Sequence, residues 1–272
     1  MQGTLRSNWP NYLIEAWGLG IFMVIAGAVT VALEYPASPL HSMLSNPLVR
    51  RLITGVLMGF TAISIIYSPW GKRSGAHLNP AMTLTFYRLG KLGVQDTVAY
   101  ILAQALGGLL GVALIATILG QIFTDPPISY VVTQPGSAGF AAAFGVEFLM
   151  AMGLMTMVLW VSNHRSMRVN QLTGIFAGCL VASYITVLAP FSGMSINPAR
   201  TFASALPAGI WTGWWIYVIA PTLAMMVAAE VYLRITRKHP LSLCGKLCPN
   251  RETPCLCTTC CEQGCAVNLP TA

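Results

Sequence analysis

The chain has 272 residues, 55% hydrophobic and only 8% charged, a balance too apolar for a soluble domain of this length. Its formal net charge of +7 comes from Lys and Arg gathered at the ends of apolar stretches, so it reads as membrane topology, and nucleic acid is not an expected partner. The acidic residues and four histidines are scattered, with no nucleophile–base pair or metal motif inside the apolar runs, so an enzyme is not expected either.

The polar opening "MQGTLRSNWPNY" and the long apolar run behind it argue against a cleaved signal, and a first span is predicted at 13–33 with Glu15 inside it. Further spans are predicted at 52–68, 97–119, 140–161, 171–190 and 211–233, each near the roughly 20 residues that cross hydrocarbon. After the second span, "SPWGKRSGAHL" is too polar and too rich in Gly and Pro to continue as helix, and a short apolar piece, "PAMTLTFYR", follows it. After the fifth span the same happens with "PFSGMSI" and "PARTFASAL". A loop at 120–139 separates the two sets of three spans, and the fourth span carries Glu147.

These two interruptions repeat one another: "SGAHLNPAMT" at 74–83 and "SGMSINPART" at 192–201 share Ser, Gly, Asn, Pro, Ala and Thr in register. Asn is a strong N-cap and Pro is favoured in the first helical turn, so each Asn-Pro-Ala predicts the start of a half-helix, about 13 Å long for nine residues. Three spans lie on either side of the loop, an odd number, so the second set is inverted and the half-helix N-termini meet near the midplane. Non-helical backbone at that depth belongs in protein or beside a watery cavity, which makes a pore the natural reading. On this topology Arg6, Lys72, Arg73, Arg88, Lys91, Arg165, Arg168, Arg234, Arg237 and Lys238 share the side of the termini, while Arg50 and Arg51 lie opposite. That asymmetry places both termini in the cytoplasm.

With two Asn-Pro-Ala motifs in matching places, Ser-Gly before each, Arg after the second, and Glu15 and Glu147 in each half's first span, residues 10–235 resemble the aquaporin, or major intrinsic protein, family. The resemblance implies an all-α membrane protein: six transmembrane helices plus two re-entrant half-helices in an inverted repeat. It also implies a homotetramer in the lipid bilayer, each subunit a passive channel for water and small uncharged solutes that needs no cofactor. The expected organisation is an N-terminal segment at 1–12, a first repeat at 13–119, a connecting loop at 120–139, a second repeat at 140–235 and a tail at 236–272.

The predicted pore motifs are Asn79, Pro80 and Ala81 with Asn197, Pro198 and Ala199, whose amides and helix ends turn a passing water and repel cations. Arg200, where the first repeat has Met82, is a lone charge in the span region and is predicted at one mouth of the pore. Family spacing places Ile185 and Met194 beside it in the filter, with Met58 or Gly59 as the second-span member. Ile185 stands where strict water channels usually carry His, which widens the credible cargo to polyols, urea, ammonia, hydrogen peroxide and neutral metalloid acids. Against a polyol, Thr201 stands where glycerol facilitators typically carry Asp.

Glu15 and Glu147 read either as proton-relay groups or, by resemblance, as braces for the re-entrant loop of their own half, and His77 as a ligand or as scaffolding. Gly107, Gly108 and Gly111, and Gly174 and Gly178, give small faces for close helix crossing, within one protomer or between protomers. After Pro240, Cys244, Cys248, Cys255, Cys257, Cys260, Cys261 and Cys265 crowd into a tail outside the family pattern. Their spacing suits a thiophilic ion such as Zn or Cu held by sulfur alone, with S-acylation or a redox-sensitive tail as rival readings. A facilitator gated by metal in that tail is the alternative function the sequence raises.

Overall fold

The computed structural model describes residues 3–164, 166–236, 245–250 and 253, and among these every regular element is helical. The helices are α1 (Gly3–Glu34), α2 (Pro39–Met43), α3 (Pro47–Tyr67), α4 (Pro69–Ser74), α5 (Pro80–Arg88), α6 (Val94–Leu119), α7 (Gln121–Thr124), α8 (Gly139–Ser162), α9 (Met167–Asn170), α10 (Thr173–Ser192), α11 (Pro198–Ala208) and α12 (Ile216–Ile235). A 3₁₀ turn, Ser129–Val131, interrupts the connecting loop. Six of the helices, α1, α3, α6, α8, α10 and α12, are long and apolar enough to cross a membrane.

Three boundaries differ from expectation by five residues or more, one of them that of α3, which starts at Pro47 rather than 52 because Asn46 caps it, its side chain accepting from Leu48 N (2.9 Å). Helix α1 continues back through the polar segment placed before the first span, because Asn8 Nδ2 and Tyr12 Oη donate to Asp96 Oδ1 at 3.0 and 2.6 Å and tie that turn to the start of α6. The last span starts at Ile216 rather than 211, because Gly213 adopts a left-handed φ of +65° and breaks the run of tryptophans before it.

The contacts obey a two-fold exchange of halves. Helix α1 packs along α6 as α8 packs along α12, and α3 of one half crosses α10 of the other. Helix α5 packs on α12 and α11 on α6, so each half-helix is seated against the other half's last span. Glycines make these crossings possible: a Cβ on Gly107 would lie 2.0 Å from Ala16 O, one on Gly111 2.3 Å from Gly20 O, and one on Gly178 2.6 Å from Gly59 O. The small faces therefore serve packing within one protomer.

Candidate functional site

Each re-entrant loop begins at a glycine that caps the preceding helix in the left-handed region, Gly75 at φ +98° after α4 and Gly193 at φ +75° after α10. Two further residues in each loop are left-handed although they carry side chains: Ala76 (52°) and Leu78 (51°), matched by Met194 (51°) and Ile196 (48°). Such a backbone costs about 1–2 kcal/mol per residue and persists only where its surroundings dictate it.

The two buried glutamates supply those surroundings. Glu15 Oε1 accepts from Ser74 Oγ (2.8 Å) and His77 N (3.1 Å), and its Oε2 from Leu78 N (2.6 Å) and Gln104 Nε2 (2.9 Å). Glu147 accepts from Ser192 Oγ (2.7 Å), Ser195 N (2.9 Å) and Ile196 N (2.6 Å). Each carboxylate thus satisfies backbone donors that the irregular loop leaves without helix partners.

Two tyrosines that sequence reasoning passed over complete the frame, Tyr100 Oη donating to Ser74 O (2.7 Å) and Tyr217 Oη to Ser192 O (2.6 Å). A signal for them existed: they stand 21 and 20 residues after Asn79 and Asn197, an aromatic hydroxyl at nearly one offset in both repeats.

At the meeting point, Asn79 Oδ1 accepts from Ala81 N (2.9 Å), and Asn197 Oδ1 from Ala199 N (3.0 Å) and Arg200 N (3.2 Å). Both residues are therefore N-caps, with Pro80 and Pro198 in the first turn of their half-helices. Capping uses only the oxygen. Each amide nitrogen reaches across the two-fold, Asn79 Nδ2 donating to Ile196 O and Asn197 Nδ2 to Leu78 O, both at 2.7 Å. An amide has two N–H groups, so this arrangement fixes the plane of each amide and leaves one N–H per Asn for whatever passes.

Both asparagines line a cavity of about 280 Å³ that reaches from Glu34, Arg51 and Thr54 at one end to Leu247 at the other. Met58, Ile185, Met194 and Arg200 all lie on its wall. Of the two second-span candidates, Met58 faces the cavity and Gly59 does not: a Cβ on Gly59 would meet Gly178 O at 2.5 Å, so that residue belongs to the α3–α10 crossing. Arg200 Nη1 is buried with no hydrogen-bond partner among the described residues. A buried cationic donor left without protein acceptors is suited to a transient one, such as the oxygen of a permeating molecule. Ala81 and Ala199 pack behind the half-helix starts, 0% and 2% exposed.

Thr201 lies off the cavity wall, its Oγ1 bonded to Thr133 Oγ1 (2.9 Å) and Ser195 Oγ (2.6 Å). The departure that weighed against a polyol is thus one of packing in this chain. His77 is buried, stacked on Phe86 with ring centroids 4.6 Å apart, its Nδ1 3.2 Å from Thr83 Oγ1 and its Nε2 donating to Gly245 O (2.8 Å). At the opposite end Arg50 is paired with Glu34 at 3.0 Å.

Of the seven tail cysteines only Cys248 is among the described residues; Cys244, Cys255, Cys257, Cys260, Cys261 and Cys265 lie outside them. Cys248 is 5% exposed, packed into the same apolar cluster as Leu247 and Ile66. Among the described residues no three His, Cys, Asp or Glu side chains gather as a metal site would need.

Comparison with known proteins gives a consistent answer. A sequence profile of the family described as Major intrinsic protein matches residues 4–232. Aquaporin NIP1-1 of Arabidopsis thaliana is 29% identical over 214 residues, 78% of this chain and 69% of the relative. Aquaporin NIP3-1 of Zea mays is 34% identical over 194 residues, 68% of this chain and 62% of the relative, so the matches span roughly two thirds of these longer proteins. The X-ray structure of the aquaglyceroporin from Plasmodium falciparum superposes with a TM-score of 0.66 at 19% identity, covering 82% of this chain and 94% of that one, a likeness of fold. The paired motifs, their inverted geometry and the profile covering nearly the whole chain lead to one conclusion: the protein belongs to the major intrinsic protein family.

Proposed function

We propose that the chain is a passive channel for water and for small neutral solutes with one apolar face, and that it excludes protons and ions. The observation that carries this reading is the pair of crossed asparagine amides, each with one N–H left for the cavity. A water entering between them accepts from both amides and meets the positive ends of two half-helices. Oriented in that way it cannot also pass a proton along a file of waters, and a cation meets two positive ends, as in aquaporin-type channels generally.

Arg200 forms the second barrier, with Ile185, Met58 and Met194 as an apolar wall around it. A wall of this kind removes the polar contacts that would favour water alone and suits a molecule that turns hydroxyls to Arg200 and carbon to the aliphatic side chains. Glycerol is the first candidate, supported by the likeness to an aquaglyceroporin, with urea, ammonia, hydrogen peroxide and neutral metalloid acids in the same class. On this reading Glu15, Glu147 and His77 hold the loops and do not move protons. The basic asymmetry supports cytoplasmic termini. Assembly as a homotetramer rests on the family resemblance.

The test is stopped-flow light scattering on vesicles holding purified protein. Shrinkage in sucrose and re-swelling in glycerol should both run faster than in empty vesicles, and no proton current should appear under a pH gradient. Shrinkage without glycerol uptake would restrict the cargo to water, and a proton current would overturn the reading.

A further inference from the structure

The tail meets the pore. Residues 245–250 and 253 lie across the terminus-side mouth of the cavity and are bonded to the first re-entrant loop and to α4. Leu247 N donates to Gly75 O (3.1 Å), His77 Nε2 donates to Gly245 O (2.8 Å), and Asn250 Nδ2 and Thr253 Oγ1 both donate to Lys72 O at 3.0 Å. Lys246, 2% exposed, closes the segment on itself through Nζ to Thr253 O (3.1 Å) and Oγ1 (2.6 Å). Gly75 admits this approach, since a Cβ there would stand 2.7 Å from Gly245 O.

The two-fold gives a measure of what is unusual here. On the opposite face the connecting loop occupies the equivalent place: Thr133 and Gln134 press on Gly193, and Gly136 N donates to Phe191 O (2.9 Å). The tail is thus the counterpart of that loop over the other repeat. One difference separates them. No residue of the connecting loop reaches the cavity wall, whereas Leu247 does, 4% exposed and clustered with Ile66, Ala76 and Met82.

We propose that the segment Gly245–Asn250 with Thr253 is an autoinhibitory plug: seated as described, Leu247 closes the cytoplasmic mouth, and release of the segment from Lys72 O, Gly75 O and His77 opens it. An apolar side chain at a narrow mouth obstructs by dewetting as well as by volume. Hydrogen bonds and two buried side chains, Leu247 and Cys248, hold the segment outside the helix crossings, so it is a local unit that opens without disturbing the bundle. The proposal rests on the channel reading for its consequence, and on Cys248 for an independent readout, since that thiol is covered only while the plug is seated.

Full-length protein is compared in vesicles with Asn250→Ala/Thr253→Ala, with Leu247→Ala, and with a chain ending at 240. Loss of two hydrogen bonds to Lys72 O should shift the seated-to-released balance roughly tenfold, and flux per channel should rise accordingly in the double variant and most in the shortened chain. In parallel, a full-length form whose only cysteine is Cys248 is alkylated with a charged maleimide. Slow alkylation that quickens about tenfold with Asn250→Ala/Thr253→Ala supports the plug. Equal flux above that of empty vesicles in all forms, or Cys248 reacting at the rate of an exposed thiol in the parent, overturns it. A channel silent in every form counts against conduction instead, and Cys248 protection then decides the plug alone.

Discussion

Glu147→Ala tests the frame that holds the second re-entrant loop in shape. The carboxylate accepts three hydrogen bonds, from Ser192 Oγ, Ser195 N and Ile196 N, and is itself fully buried. In the variant the hydroxyl can turn elsewhere, but the two backbone donors cannot, and each buried orphan costs about 1–3 kcal/mol, or about 2–6 kcal/mol together. Met194 and Ile196 are left-handed next to those donors, so the loop will relax toward ordinary backbone, recovering part of the cost and carrying the filter and the Asn197 amide out of place. Stability and conduction should therefore fall together. The assay is the unfolding midpoint in detergent beside vesicle shrinkage. Arg88→Ala serves as control: it breaks a 2.6 Å pair with Glu230 whose side chains are 52% and 39% exposed, and such a pair is worth about 0–1 kcal/mol. Glu147→Ala within about 0.5 kcal/mol of the parent, with unchanged flux, would refute the bracing argument.

The helix crossings and the filter give the remaining predictions. Gly107→Ala places a Cβ 2.0 Å from Ala16 O and should cost about 1–3 kcal/mol or more, read as a lower unfolding midpoint, whereas Gly145→Ala meets nothing within 4 Å and should be neutral or slightly stabilising. Arg200→Ala removes the guanidinium from the cavity wall and should raise glycerol influx several-fold while admitting a cation leak measurable under an imposed potential. Ile185→His adds a polar contact opposite Arg200 and should lower glycerol flux relative to water in the same vesicles.

What could be read from the sequence was whatever the repeat wrote twice. Asn79 and Asn197, Glu15 and Glu147, the glycine before each loop and the inverted order of spans all follow from matching two segments and asking what backbone chemistry they demand. Met58 and Gly59 could not be separated in that way, because one residue is a third of a helical turn and the choice is made where α3 crosses α10. The start of α12 was missed because the tryptophans before it are apolar, while the glycine that breaks them needs only a change of φ. Tyr100 and Tyr217 looked like ordinary members of apolar spans, and only their nearly equal offsets from Asn79 and Asn197 marked them. The seat of Leu247 was out of reach, since its partners lie about 170 residues earlier and belong to irregular backbone.

The exchange of half-helices, α5 resting on α12 and α11 on α6, has a consequence for how the protein is made. The first half leaves the ribosome carrying a short helix whose support is the last span of the chain. Until that span is inserted, α5 lacks the surface it rests on, although the carbonyls of Leu78 and Ile196 that the crossed amides reach are already made. Closure of the conduit is therefore a late event, completed only when the span that begins at Ile216 packs against α5 and α8.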